Sequence, residues 1–261
     1  LAFSDWSELQ KTRREMLRIH TFPRAFTTKY NQLSQIISKE MSSFVIDLQG
    51  PKALSTKSLI LQTCANVFTS YFCSRRFSLD DTDFRDMVGN FDKVFWEVNQ
   101  GYAADFMPFL MPLHALNMRR MSHWSEMIRE FVEKRLIEDR LNSWTEFIKE
   151  EDYVDCLINH VKSGAEPEMT WDTALFALED IIGGHSAIGN FLMRIFGFLA
   201  TRENVQATAQ REIDGVQGSG QIVGLEQRRN MPYTEAIMLE AIRLIASPIV
   251  PHVANRDSSV A

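Results

Sequence analysis

Two short stretches hold the side chains whose types and spacing could do chemistry. In DIIGGHSAIGN, residues 180–190, His185 and Ser186 stand side by side behind the pair Gly183–Gly184. An imidazole with an ordinary pKa near ~6.5 exchanges protons around neutrality, and a hydroxyl both donates and accepts, so the two could move a proton or orient a water. The same histidine could instead be turned into the packing and bonded to a neighbour, since it is one residue out of phase with the glycine pair. In MPYTEAIMLEAIRL, residues 231–244, Glu240 and Arg243 are three apart on one helical face and close enough to pair. Ile237, Leu239, Ile242 and Leu244 make the surface around them apolar, and a buried pair is costly unless other groups complete its hydrogen bonds; a solvated helix pair is the other reading. Cys64, Cys73 and Cys156 have no CxxC spacing and lie in apolar helical stretches, which predicts reduced core thiols and a cytosol-facing compartment.

Helices must carry these groups. Apolar residues recur at helical spacing over 4–18, 26–48, 55–73, 81–98, 115–141, 150–163 and 231–244. Ser4 or Asp5 could cap the first of these ahead of Trp6, and Asp81 and Thr82 open the fourth. GYAADFMPFLMPL, 101–113, reads as an apolar loop, and GVQGSGQIVG, 215–224, as a flexible stretch. The central helix is expected to begin after Pro167, with Thr170 as cap and Asp172 in its first turn, and to run to about Ala200, a length of ~45 Å. It holds no acidic or basic residue between Asp180 and Arg194, so it is expected to be buried on most sides; the flanking charges and the GGHS group argue against a membrane span. Gly183, Gly184 and Gly189 inside it together cost roughly 3 kcal/mol relative to alanine, so something must approach the backbone closely: a neighbouring helix, or a flat ligand. Pro248 and Pro251 end the last helix and force an extended segment in which His252 follows Pro251.

With 45% hydrophobic residues in 261, the chain can bury a sizeable core, and residues 1–261 are expected to form a single domain. Scarce strand-like alternation favours a mainly α fold. A formal charge of −6 argues against nucleic acid, yet Lys11, Arg13, Arg14, Arg18, Arg24 and Lys29 make residues 1–30 locally basic, a face that could dock an acidic partner. The chain opens and closes in mid-pattern and is expected to be a piece of a longer protein.

Together, Trp6, the glycine pair of the central helix, MPYTEA leading into Glu240-Ala241-Ile242-Arg243, and the Pro251–His252 step resemble the cytochrome P450 family of haem-thiolate monooxygenases over essentially the whole chain. Within it, ALEDIIGGHSAIGN looks like the insect Spook-type enzymes of ecdysteroid hormone synthesis. The resemblance implies a helical prism with a small sheet, haem b (heme, iron protoporphyrin IX) against the central helix, and electrons from NADPH through a cytochrome P450 reductase docked near Lys11, Arg13 and Arg14. It implies that Trp6 and His252 donate to the haem propionates, and that Gly183, Gly184 and Ala187 line the cofactor. Asp180, Gly183, Ile249 and Val250 would face substrate, and Glu240–Arg243 would be a structural pair. No metal ligand is expected in this sequence: none of the three cysteines stands in an FxxGxRxCxG setting, so the axial cysteine is expected beyond Ala261 and the fragment is expected to be inactive.

Two departures stand out. The family usually has arginine four residues after that tryptophan; here Gln10 and its neighbour Lys11 stand there, so Lys11 or neutral donors would meet the propionate charge. Where the family places an acid and then a threonine, this chain has Ser186 and Ala187, which leaves Ser186 or His185 as candidate proton carriers. The leading expectation is oxidation of a sterol or ecdysteroid precursor at the endoplasmic reticulum membrane, facing the cytosol, through an N-terminal anchor outside this sequence. A haem-thiolate isomerase or dehydratase without oxygen activation is one alternative, and a non-enzymatic helical scaffold another. FMPFLMPL, 106–113, could dip into a membrane surface, cover a lipophilic channel, or simply pack into the core.

Overall fold

The computed structural model describes residues 7–21, 23–49, 55–145, 149–164, 168–218 and 220–245, and among them the regular structure is entirely helical. The extended segment at 248–252, where the small sheet was expected, lies outside the described residues, as do Ser4 and Asp5. Helices α1 (Glu8–Thr21), α2 (Thr28–Gln49), α3 (Thr56–Cys73) and α4 (Thr82–Val98) follow the predicted order. Asp81 caps α4 by accepting from the Phe84 N–H at 3.0 Å.

The stretch read as a loop at 101–113 instead winds into α5 (Ala103–Phe106) and a 3₁₀ turn, Pro108–His114. Prolines at 108 and 112 fix φ and withhold donors, which suits a short tight turn and no longer helix. The helix expected over 115–141 is broken into α6 (Ala115–Val132), a π turn at Glu133–Ile137, and α7 (Glu138–Asn142). The π turn puts Leu136 and Ile137 into the core and lays the Arg135 guanidinium over the rings of Phe77 and Phe131. From there Arg135 donates to Asp81 at 2.6 Å and Asp83 at 2.8 Å.

α8 (Tyr153–Ser163) starts from a buried Asp152, which accepts the Asp155 N–H at 3.1 Å and two bonds from Arg140 at 2.7 and 2.8 Å. Arg140 also donates to Asp155 at 2.9 Å and to the Cys73 carbonyl, tying the ends of α3, α7 and α8 together. Burial lowers the basicity of this guanidinium, but the bonds and charge of Asp152 and Asp155 outweigh it and leave its pKa raised.

α9 (Trp171–Ala200) is the central helix, and the Thr170 hydroxyl caps it by accepting the Thr173 N–H at 3.3 Å. It packs most extensively against α3, with α4, α6 and α8 around the same side. α10 (Glu203–Gln217) carries an apolar stripe at Val205, Ala209, Ile213 and Val216, and its last turn takes up the start of the stretch read as flexible. Its Glu212 serves α11 (Pro232–Ile245) as a borrowed cap, accepting the N–H groups of Tyr233 at 2.8 Å and Thr234 at 2.7 Å.

Candidate functional site

α9 has two unlike faces. Ala174, Leu178, Ile182, His185, Ser186 and Gly189 are buried against the neighbouring helices. Phe176, Asp180, Gly183 and Ala187, spaced 4, 3 and 4 apart, form an open stripe: Phe176 is 51% exposed, Asp180 and Ala187 are exposed, and Gly183 is half-buried. Among the described residues no element covers this stripe, while the expected burial holds on the side that meets α3, α4, α6 and α8.

The packed side accounts for the glycines. A methyl group at Gly183 would lie 2.8 Å from Cε1 of Phe91, one at Gly184 2.9 Å from Cε1 of Phe68, and one at Gly189 2.6 Å from Cδ2 of Leu61 with the Leu61 Cα 3.5 Å away. Helix packing against α3 and α4 thus gives all three a reason beside that of a flat ligand, most firmly at Gly189, where the Leu61 backbone stands behind the side chain. Gly183 and Ala187 additionally sit on the open stripe.

His185 and Ser186 face inward. The imidazole is fully buried, its Nδ1 is 2.6 Å from the Ile182 carbonyl, and the Phe91 ring meets it edge-on at 5.3 Å. Burial pulls its pKa down to about 4, against the opposing pull of the Ile182 carbonyl and Asp92, so at neutral pH it is uncharged and donates from Nδ1 to Ile182. Nε2 is then an acceptor, 3.4 Å from the Ser186 hydroxyl. This is the turned-in arrangement: a neutral, solvent-free imidazole does not supply protons at neutral pH, which corrects the expectation of His185 as a proton carrier. Ser186, equally buried, presents no hydroxyl to the open stripe.

Asp92 and Asn190, which the sequence reading did not single out, hold this region together. Asn190 donates to Asp92 at 2.8 Å and to the Ser186 carbonyl at 2.9 Å, and Lys57 pairs with Asp92 at 2.6 Å. The four-residue step from Ser186 to Asn190 was the available signal.

Glu240 and Arg243 do pair, with two bonds of 2.7 and 2.5 Å, but their side chains are 55% and 68% exposed. Among the described residues the pair is open to solvent. On α1, Gln10 is buried, while Lys11 is exposed and pairs with Glu8 at 3.4 Å, so Lys11 does not turn to the buried face that holds Gln10. Arg13 is buried too, which removes it from the expected basic docking face and leaves Lys11, Arg14 and Arg18 exposed there. Trp6, Ile249, Val250 and His252 lie outside the described residues.

The three cysteines are buried and free, and burial pushes the thiols of Cys64 and Cys156 up to about 11 and about 12 and raises that of Cys73 as well. None is a poised thiolate. The apolar turn between α4 and α6 is not core: Phe109, Leu113 and Leu116 are 75%, 80% and 75% exposed. Among the described residues no helix is long and apolar enough to cross a membrane, and no group of side chains is arranged to hold a metal ion.

Comparison with known proteins places this arrangement. The chain is 38% identical over its whole length to cytochrome P450 307a1 of Drosophila melanogaster, covering 48% of that protein. It is 26% identical to steroid 17-alpha-hydroxylase/17,20 lyase of the frog Rana dybowskii, again over its whole length and 52% of the relative. The chain therefore spans about half the length of these relatives. Two zebra fish cytochrome P450 structures, solved with progesterone and with abiraterone, share its fold at TM-scores of 0.74 and 0.75 and 21% identity, over 93% and 98% of this chain and 56% and 57% of theirs. The family model for cytochrome P450 matches residues 1–261, and the chain belongs to that family.

Proposed function

We propose that this chain is part of a haem-dependent monooxygenase acting on a sterol or ecdysteroid precursor, with residues 1–261 lying within one domain. The observation that carries the reading is the open stripe on α9, small at Gly183 and Ala187, on a helix that packs its Ala174, Leu178, Ile182, His185 and Gly189 side against its neighbours. Haem, when bound through a cysteine thiolate, activates dioxygen for oxygen insertion into a C–H bond, with electrons passed from NADPH by the reductase. Gly183 and Ala187 would flank it, with Gly184 turned instead toward Phe68 of α3, and Trp6, Gln10 and His252 would donate to its carboxylates. Asp180, Ile249 and Val250 would meet the substrate. The three cysteines are buried within the helix packing and none stands in an FxxGxRxCxG setting, so the axial thiolate is assigned to another part of the full-length protein.

His185 and Ser186 are assigned a positioning role: with Asn190 and Asp92 they fix the backbone of α9 behind the stripe. The sterol class draws support from the frog relative's name and from the steroid-type ligands in the titles of the zebra fish structures. The exposed apolar turn at 106–113 suits contact with a membrane surface, at the cytosolic side of the endoplasmic reticulum, from which a lipophilic substrate would arrive. The exposed Lys11, Arg14 and Arg18 suit an acidic reductase surface.

The test is expression of the full-length protein with haem supplied. The expected results are the thiolate-type spectrum of its reduced, carbon-monoxide-bound form and sterol-dependent consumption of NADPH and oxygen. The second reading, an isomerase or dehydratase, is favoured by one observation: Ser186 points inward and Ala187 has no polar atom, so the middle of the stripe lacks an acid–alcohol pair. Conversion of a sterol hydroperoxide without NADPH would select it. A colourless protein would leave a helical scaffold.

A further inference from the structure

Arg–Arg steps occur in the sequence at 13–14, 75–76, 119–120 and 228–229, and two of them have a serine two residues further on: Arg75-Arg76-Phe77-Ser78 and Arg119-Arg120-Met121-Ser122. A hydroxyl with guanidinium groups three and two residues before it is what a basophilic protein kinase reads, because carboxylates of its cleft pair with both arginines while its MgATP meets the serine. The sequence treats the two stretches alike, and the structure separates them. Ser122 stands inside α6, with its hydroxyl donating to Glu126 at 3.1 Å one turn on. A kinase cleft takes its substrate as an open chain, so presenting Ser122 would require unwinding the helix around it.

Ser78 lies in the link between α3 and α4, where residues 75–78 form no helical turn. Exposure alternates along it: Arg76 and Ser78 face out, and Phe77 between them is buried against Phe84 and Phe131. Asn66 holds the link from below, donating to the Phe77 carbonyl at 3.0 Å and accepting the Phe77 N–H at 2.9 Å. Arg75 is exposed as well, so the three groups a kinase reads are all on the outside while the anchoring ring points away from them. Arg76 already has work in the fold: it makes bonds of 2.5 and 3.2 Å to Glu40 of α2, a carboxylate whose side chain is 4% exposed.

We propose that Ser78 is a phosphorylation site for a basophilic protein kinase, and that its phosphate loosens the joint between α2 and the α3–α4 link by competing with Glu40 for Arg76. In the transfer, the Ser78 Oγ attacks the γ-phosphorus of ATP, the new O–P bond replaces the bond from that phosphorus to the β–γ bridging oxygen, ADP leaves, and the hydroxyl proton passes to a carboxylate of the kinase. The product carries a charge of about −2 on the face it shares with Arg76, against the single charge of Glu40. Drawing the guanidinium outward strands Glu40 away from water without its partner. The proposal does not depend on the haem reading above.

The experiment incubates the folded full-length protein with MgATP and the catalytic subunit of cyclic-AMP-dependent protein kinase. Three quantities are read: phosphate per chain, the modified residue by mass spectrometry, and the thermal midpoint before and after. The expected result is about one phosphate per chain, on Ser78, with at least tenfold less in Ser78→Ala and no loss in Ser122→Ala. The midpoint is expected to fall on phosphorylation of wild type, to stay unmoved in Ser78→Ala treated the same way, and to fall less in Glu40→Gln, where no buried charge is stranded. Phosphate found mainly on Ser122, or none on the folded chain, overturns the site. A midpoint that is unchanged or raised in phosphorylated wild type, or that falls equally in Glu40→Gln, overturns the competition for Arg76.

Discussion

Two arginine–carboxylate pairs have nearly the same bonds and opposite surroundings. Arg140 reaches Asp152 at 2.7 and 2.8 Å, and Arg243 reaches Glu240 at 2.7 and 2.5 Å. The side chains of the first pair are 17% and 0% exposed, those of the second 68% and 55%. Bond length therefore says little about what a pair contributes here. Enclosure decides it, because removing one partner of a buried pair strands the other charge away from water, while an exposed partner simply rehydrates.

Four measurements sharpen or break that contrast. Arg140→Leu leaves Asp152 buried and uncompensated and is expected to cost about 3–5 kcal/mol in urea unfolding; a loss near zero would put the two pairs on an equal footing. His185 is the enclosed titrating counterpart. Its folded pKa of about 4 lies below the unfolded 6.5, so the unfolded chain binds the extra proton in between. Its contribution is fully present above pH 6.5, shrinks as pH falls and is gone by about pH 4, with a loss of about 3 kcal/mol at most. His185→Asn, which keeps a donor for the Ile182 carbonyl, is expected to flatten that part of the stability–pH curve.

Gly189→Ala drives a methyl into Leu61 and the α3 backbone behind it, and is expected to cost about 1 kcal/mol after the gain in helix propensity is returned. Gly197→Ala, on the same helix with nothing within 4 Å, is expected to stabilise by up to ~1 kcal/mol, so opposite signs at the two positions are the readout. Glu240→Gln is expected to leave the unfolding midpoint of this chain unchanged within error.

The helices were legible where local chemistry agreed with tertiary packing. Asp81 and Thr170 cap the elements they were expected to cap, and α3 and α9 run where apolar spacing put them. α10 was not singled out in the sequence, although Val205, Ala209, Ile213 and Val216 recur there at helical spacing; the residues of that stripe are few and small, so it stands out less than those of α3 and α9. The faces of α9 were not legible either: residues 181–193 are apolar almost throughout, so only the placement of α3 and α4 decides that His185 turns in while Ala187 stays open. Arg13 shows the same limit from the other side. It stands among charged residues that read as one solvated edge, and its burial follows from its position in line with Gln10, Met16, Leu17 and His20 on the inner face of α1.

The π turn at Glu133–Ile137 sets the phase of everything after it. A π turn spends one residue more than an α turn for the same advance, so the chain leaves it rotated by about 100° from the course an unbroken helix would follow. Arg140 arrives beneath Asp152 only because of that rotation. Deleting a single residue from the turn would straighten the helix locally and swing the guanidinium away from its carboxylates, converting a change of one amino acid into the loss of the joint that holds three helix ends.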